Sequence, residues 1–159
     1  MGKWQLIPLG KITTVVSGST PKTTIAEYWN GEYNWVTPAE LDDTVIVINE
    51  TKRKITNKAI IDTGLKQLPI GTVLLSSRAP IGKVAITGTE MYCNQGIKGL
   101  VCSKRIYNRF LYWFLKGKTY LLNSLGRGAT FKEISKTIVE NLLVPLPPIE
   151  IQNHIAKAL

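Results

Sequence analysis

The sequence predicts an α+β fold: one compact domain with a twisted sheet, mixed or mostly antiparallel, flanked by helices and followed by the start of a further helix. Three observations predict it. Short β-rich runs separated by turn residues fill the middle of the chain: "TVIVIN", "GTVLLSSR", "GKVAIT" and "GIKGLVCS". A segment with helical apolar spacing, "YNRFLYWFLKGKTYLLNSLG", comes after them. The 159 residues, 44% hydrophobic and 19% charged, suffice for one domain with its own core.

Taken in order, Leu6 to Val16 alternates loosely between apolar and polar and breaks at "SGSTPKT", a loop in which Gly18 frees the backbone and Pro21 fixes it. In "EYWNGEYNWVTP", Asn30-Gly31 between aromatic residues predicts a hairpin turn. Thr44–Asn49 reads as a buried strand. Thr56 is placed to cap a short helix that Gly64 ends. Three strands follow, over Gly71–Arg78, Gly82–Thr87 and Gly96–Ser103. Tyr107–Gly126 reads as one helix, with Phe110, Leu111, Phe114, Leu115, Leu121 and Leu122 on roughly one face and Gly126 just past its end. Thr130–Glu133 has the spacing of a capping box. The last helix begins near Pro148 or Ile149, where a proline is tolerated. The chain divides into a domain over 1–147 and the first turns of a helix over 148–159, in which Ile151, Ile155, Ala158 and Leu159 make one apolar stripe.

The net charge of +9 is uneven: residues 1–50 carry −3, residues 51–100 carry +6 and residues 101–159 carry +6. Such a basic excess points to a polyanion, nucleic acid first, against the plainer reading of a basic solvated surface. No apolar run approaches the roughly 20 residues of a membrane span. The opening "MGKWQLIPLG" lacks the features of a signal peptide, and Leu6 breaks the myristoylation pattern, so a cytoplasmic protein is expected. Cys93 and Cys102 then read as reduced structural thiols. With one histidine, His154, no zinc or haem spacing can be built, and no cofactor or metal is expected.

Catalytic motifs are scarce in the sequence. "RGATFKE" and "PIGKVA" lack the spacing of a phosphate loop, and the dinucleotide glycine pattern is absent. "PLPP" lacks the Asp or Asn that precedes Pro-Pro in amino-methyltransferase sites. One enzymatic alternative is a Mg-dependent nuclease using Asp42, Asp43 and Glu50 around the "TVIVIN" strand. Its weakness is that Glu50 and Lys52 lie past the strand end, where a solvated turn explains them better.

Six segments occur in order: "SGSTPKT", "EYWNGEYNWVTPAEL", "LPIGTVLLSSRAPIGKVAI", "CNQGIKGLV", "GATFKEIS" and "VPLPPIEIQNHIA". Together, from Trp4 to Leu159, they resemble the target recognition domain of the specificity (S) subunit of type I restriction–modification enzymes, the HsdS family. The resemblance implies a non-catalytic, sequence-specific reader of double-stranded DNA. It implies recognition of half of a bipartite site, a spacer helix that docks the methyltransferase (M) subunit, and a restriction (R) subunit in the full complex. The chain departs from the pattern in extent: it has one recognition domain, and its helix runs only about eleven residues. It is expected to be a single domain or truncated half-subunit, with a second S half-subunit as a possible partner through Ile151, Ile155, Ala158 and Leu159. An assembly module that binds the M subunit without reading DNA is the other alternative.

Candidate DNA contacts follow from chemistry. Ser19, Thr20, Lys22 and Thr23 offer donors around a proline-stiffened turn, which equally reads as a hydroxyl-capped turn without a ligand. Ser76, Ser77, Arg78 and Lys83 gather hydroxyls and cations between two strands, unless the arginine pairs internally with a carboxylate. Asn94 and Lys98 offer an amide and a cation, while Gln95 beside Gly96 reads as scaffold. Lys52, Arg53, Lys54 and Lys58 lie in a stretch untypical of the family, which suits sequence readout because different members read different targets. Arg127 and Lys132 stand near the expected capping box, where a helix N-terminus favours phosphate. Trp29 and Trp35 read as packing residues.

Overall fold

The computed structural model describes residues 4–159. The elements run β1 (Leu6–Pro8), β2 (Thr13–Ser17), β3 (Trp29–Val36), β4 (Val47–Ile48), β5 (Arg53–Ile55), α1 (Asn57–Thr63), β6 (Val73–Ser76), β7 (Val84–Thr87), β8 (Tyr92–Cys93), β9 (Ile97–Cys102), α2 (Asn108–Lys116), α3 (Thr119–Ser124), α4 (Lys136–Glu140), β10 (Leu143–Pro145) and α5 (Ile149–Ala158). The architecture is α+β as expected, with three sheets where one was foreseen. The largest has the order β2-β9-β6-β7-β4 and is antiparallel except between β4 and β7. A second, β5-β3-β8, is also mixed, and β1 pairs with β10.

The central strands are apolar on both faces because both faces are covered. Val73, Leu75, Val84 and Ile86 point into a core shared with Leu111 and Leu115 of α2. Their neighbours Leu74 and Ala85 point the other way, onto Val36, Leu68, Met91 and Ile97. A third cluster, Tyr28, Trp35, Ile55, Ala59 and Tyr92, seats α1 on the smaller sheet. Thr56 caps α1 by accepting from Ala59 N–H at 3.2 Å, and Gly64 ends it at φ 67°, both as predicted.

Four expectations are corrected. Asn30-Gly31 makes no hairpin: β3 runs straight through it. Asn30 is left-handed at φ 62°, and the register against β5 shifts between Trp29 and Tyr33. The flanking aromatics pair with β5 rather than with each other, and Gly31 is needed because a Cβ there would collide with the Ile55 carbonyl. The "TVIVIN" strand shrinks to Val47–Ile48. The long helix breaks at Gly117-Lys118 into α2 and α3, leaving Leu121 exposed while Leu122 stays buried. No helix starts at Thr130–Glu133. The N-cap is Ser135, whose hydroxyl accepts from Ile138 N–H, and Arg127 and Glu133 instead exchange two backbone hydrogen bonds of 2.9 and 2.8 Å across a hairpin.

Candidate nucleic-acid interface

Strand register places several loops at one end of the large sheet. Ser17 at the end of β2 lies opposite Lys98, and Ser76 at the end of β6 lies opposite Ile97 at the start of β9. Segments 18–23, 77–83 and 94–96 therefore meet, and the 127–133 hairpin joins them through Ile134 N–H to the Ser77 carbonyl at 3.0 Å.

A continuous chain of contacts crosses this end. The Arg53 guanidinium lies 4.0 Å above the Trp29 ring centroid, a cation–π stack. Trp29 Nε1 donates to the Lys22 carbonyl at 3.1 Å. The Thr20 hydroxyl donates to Gln95 Oε1, and Ser77 N–H donates to the Gly96 carbonyl at 2.8 Å. Arg78 then donates to Glu133 at 3.2 Å, and Glu133 is tied to Arg127 by the hairpin bonds. The structure thus brings Arg53, Lys22, Thr20, Arg78, Arg127 and Lys132, far apart in sequence, onto one band.

Several foreseen contacts are corrected by burial. Ser76 and Ser77 are fully buried. The Ser76 hydroxyl donates to the Pro80 carbonyl at 2.5 Å and accepts from Lys83 N–H at 2.8 Å, so it shapes the loop from within. Lys98 is only 4% exposed, and its ammonium lies 3.6 Å from Glu133 and 3.5 Å from the Ser77 hydroxyl. Burial lowers its pKa below the ordinary lysine value, an effect countered by Glu133. Glu133, which sequence reading assigned to a helix cap, holds Arg78 and Lys98 in place. Arg127 and Lys132 are exposed, but on a hairpin and not at a helix N-terminus. Asn94 is spent on a turn, its Oδ1 accepting from Gly96 N–H at 2.9 Å. Ser19 is tied by its backbone to Cys93 and to the Trp35 indole, while Lys22 and Thr23 stay exposed.

In the basic stretch, Lys54 pairs with Glu50 at 2.6 Å and Lys58 with Asp62 at 2.9 Å. Lys52 shares a shallow cleft with Glu40, Asp42 and Glu50. Lys83 and Lys116 both reach Asp43, at 3.2 and 3.6 Å, and hold its carboxyl below the usual range, the Lys83 hydrogen bond contributing most. Lys22, Arg127 and Lys132 have no carboxylate partner among the described residues. The excess exposed charge on the band is therefore positive.

The nuclease alternative does not assemble. Asp42 accepts from Thr44 N–H at 2.8 Å in a local turn, Asp43 is held by lysines and Glu50 by Lys54. None of them belongs to a group able to hold a metal among the described residues.

Helix α5 starts at the opposite end of the sheet. There Asn108 donates to the Gly71 carbonyl ahead of β6, and Gln152, fully buried, binds the segment beside it. Gln152 accepts from Tyr107 N–H at 2.8 Å and donates to the carbonyls of Arg105 and Pro147, each at 2.9 Å. Sequence reading passed over this residue, because a glutamine in an amphipathic helix looks like the solvent face. The helix is thus docked on its own domain by Gln152 and Ala156, not projected outside it. Of the foreseen stripe, Ile155 packs partly on the core, while Ile151 (41% exposed), Ala158 and Leu159 (66%) face outward. No described helix is long and apolar enough to cross a membrane.

Residues 1–159 match the model of a protein family described as the type I restriction modification DNA specificity domain. The specificity subunit of the type I restriction enzyme MjaIX from Methanocaldococcus jannaschii is 37% identical over 159 residues, covering 98% of this chain and 37% of that protein. The MjaVIII specificity subunit of the same organism is 28% identical over 156 residues, covering 98% of this chain and 35% of that protein. In fold, the chain is similar to the crystal structure of the HsdS subunit from Thermoanaerobacter tengcongensis, with a TM-score of 0.77 at 20% identity over 98% of this chain and 36% of that one. A chain from a type I R-M system studied for its complex assembly and conformational transition gives 0.77 at 24% identity, covering 98% of this chain and 37% of that one. This chain therefore spans a little over a third of these relatives' length.

Proposed function

The chain belongs to the type I restriction modification DNA specificity domain family, and from that premise we propose that it binds duplex DNA through the band of loops at one end of its large sheet. The observation that carries the proposal is the convergence of Arg53, Lys22, Arg127 and Lys132 on that band, with the nearby carboxylates Asp43 and Glu133 already neutralised from within. Lys22, Arg127 and Lys132 contact phosphates, which position the domain without reading sequence. Arg53 is held flat by Trp29, and its side-chain N–H groups donate to no protein acceptor among the described residues, which suits a bidentate contact to a base edge. Thr23 adds a neutral donor beside Lys22, whereas the Thr20 hydroxyl is already engaged with Gln95.

In this reading the protein is a specificity component and not a catalyst. It directs methyltransferase and restriction subunits to half of a bipartite DNA site. Residues 1–147 form the recognition unit and 148–159 the first turns of the spacer helix. The outward face of α5, with Ile151, Ala158 and Leu159, serves the methyltransferase subunit or a second specificity half-subunit.

The test is equilibrium binding of a mixed-sequence duplex by the full chain across a salt series. Three phosphate contacts predict a slope of log K against log salt of about −2.7, from about −0.9 per phosphate. Lys22→Ala and Lys132→Ala each flatten the slope by about one, while Lys104→Ala, at the α5 end, leaves it unchanged. No binding at low salt, alone or with the methyltransferase subunit, refutes the DNA reading. Binding of that subunit without DNA would favour a pure assembly role.

A further inference from the structure

The 127–133 hairpin carries a side chain that neither folding nor phosphate binding explains. Phe131 is 77% exposed, at the tip of a loop that is otherwise closely constrained. The loop is closed by the paired backbone bonds of Arg127 and Glu133. Gly128 sits at φ 127°, where a Cβ would collide with the Phe131 carbonyl. Gly126 packs within 3.4 Å of Ile81 and Lys132 by the same measure. Ile134 anchors the base in the core. The ring is therefore presented on a built support, and a hairpin that needed only to turn would carry a polar residue there.

Beside the ring lies an open cleft of about 590 Å³, lined by Arg78, Ala79, Thr130, Phe131 and Lys132. Its charged groups are cationic. The neighbouring carboxylate Glu133 is turned away into its contacts with Arg78 and Lys98. An aromatic ring framed by cations fits an occupant that is anionic at its edge and flat and apolar within. A base step of duplex DNA between its phosphates has that description.

We propose that Phe131 is an apolar wedge that packs against a base step of bound duplex, with Arg127 and Lys132 on the flanking phosphates. The proposal rests on the DNA-binding reading above and adds to it a contact that is indifferent to sequence, because every base has an apolar face. It also gives the hairpin a task that a domain with any target requires: fixing the depth at which the duplex seats.

The experiment measures binding of a mixed-sequence duplex by the full chain and its Phe131→Ala, Phe131→Trp and Lys132→Gln variants over a salt series, with thermal unfolding as the folding control. Phe131→Ala loses about tenfold in affinity at every salt concentration with no change in slope, the size expected for one stacking contact. Phe131→Trp keeps parental affinity, and Lys132→Gln flattens the slope by about one. All variants melt with the parent, since the ring is exposed. Unchanged affinity in Phe131→Ala, while the parent binds with its salt slope, overturns the wedge and leaves the DNA reading standing. Loss of methyltransferase-subunit capture with DNA affinity intact also overturns it and assigns the ring to a protein contact. Absence of binding by the parent removes both.

Discussion

Replacing Gln152 by leucine keeps nearly the same volume and removes three hydrogen bonds at the root of α5. The Tyr107 N–H and the carbonyls of Arg105 and Pro147 lose partners at 2.8, 2.9 and 2.9 Å. Gln152 is fully buried, so water does not readily replace it. Leaving a buried polar group unpaired costs about 1–3 kcal/mol. Leucine recovers part of this through apolar contact, so a net loss of about 2–4 kcal/mol is expected. For a chain of this size that corresponds to a fall in Tm of roughly 5–15 °C. Gln152→Glu should lose at least as much, because a buried carboxylate without a cation partner would face the two carbonyl oxygens that the amide N–H groups now serve. Thermal and urea unfolding followed by circular dichroism give the values. A Gln152→Leu protein melting within about 2 °C of the parent would refute the view that this side chain fixes how α5 leaves the domain.

Other outcomes follow from the same structure. Gly31→Ala forces a Cβ into the Ile55 carbonyl and should cost at least about 2 kcal/mol in urea unfolding, because backbone and not a flexible side chain must move. Burial pushes the Cys93 and Cys102 thiols up to about 12, so neither should react quickly with a disulfide-exchange reagent at about pH 8, whereas both react once the chain is unfolded. The Asp62 carboxyl is held below its usual value by hydrogen bonds from Lys58 and then Tyr28. A depressed carboxyl stabilises the fold above the unfolded value near 3.8 and loses that contribution as pH falls through the folded value. Acid unfolding should therefore be less steep in Asp62→Asn than in the parent.

The parts of the fold legible in the sequence are those whose causes are local. β6, β7 and β9 announce themselves because both of their faces are buried, so residues 73–75 and 84–86 read as unbroken apolar runs. The caps of α1 at Thr56 and Gly64 involve only neighbours in the chain. What failed depends on distant partners. Asn30-Gly31 carries the same local signal in a hairpin and in a bulge, and only the approach of Ile55 distinguishes them. Thr130–Glu133 has capping-box spacing, yet the pull of Arg78 and Lys98 takes Glu133 elsewhere.

The same division governs the candidate interface. Which loops carry cations could be read from composition. Which cations are consumed internally could not, because Lys98, Lys54 and Lys83 find their carboxylates only after folding. Ser76 and Ser77 look like surface donors in sequence and are interior struts in the structure. Phe131, an aromatic residue that gives no local sign of its surroundings, proves exposed.

In the proposed function, the loop end of the large sheet, and not the α5 end, faces DNA. Amide hydrogen exchange of the full chain with and without a mixed-sequence duplex at low salt tests this directly. Exchange should slow in segments 18–23, 77–83, 94–96 and 127–133, with Ile149–Ala158 unchanged. Protection confined to α5 or to residues 104–109, with the loops unaffected, would contradict it.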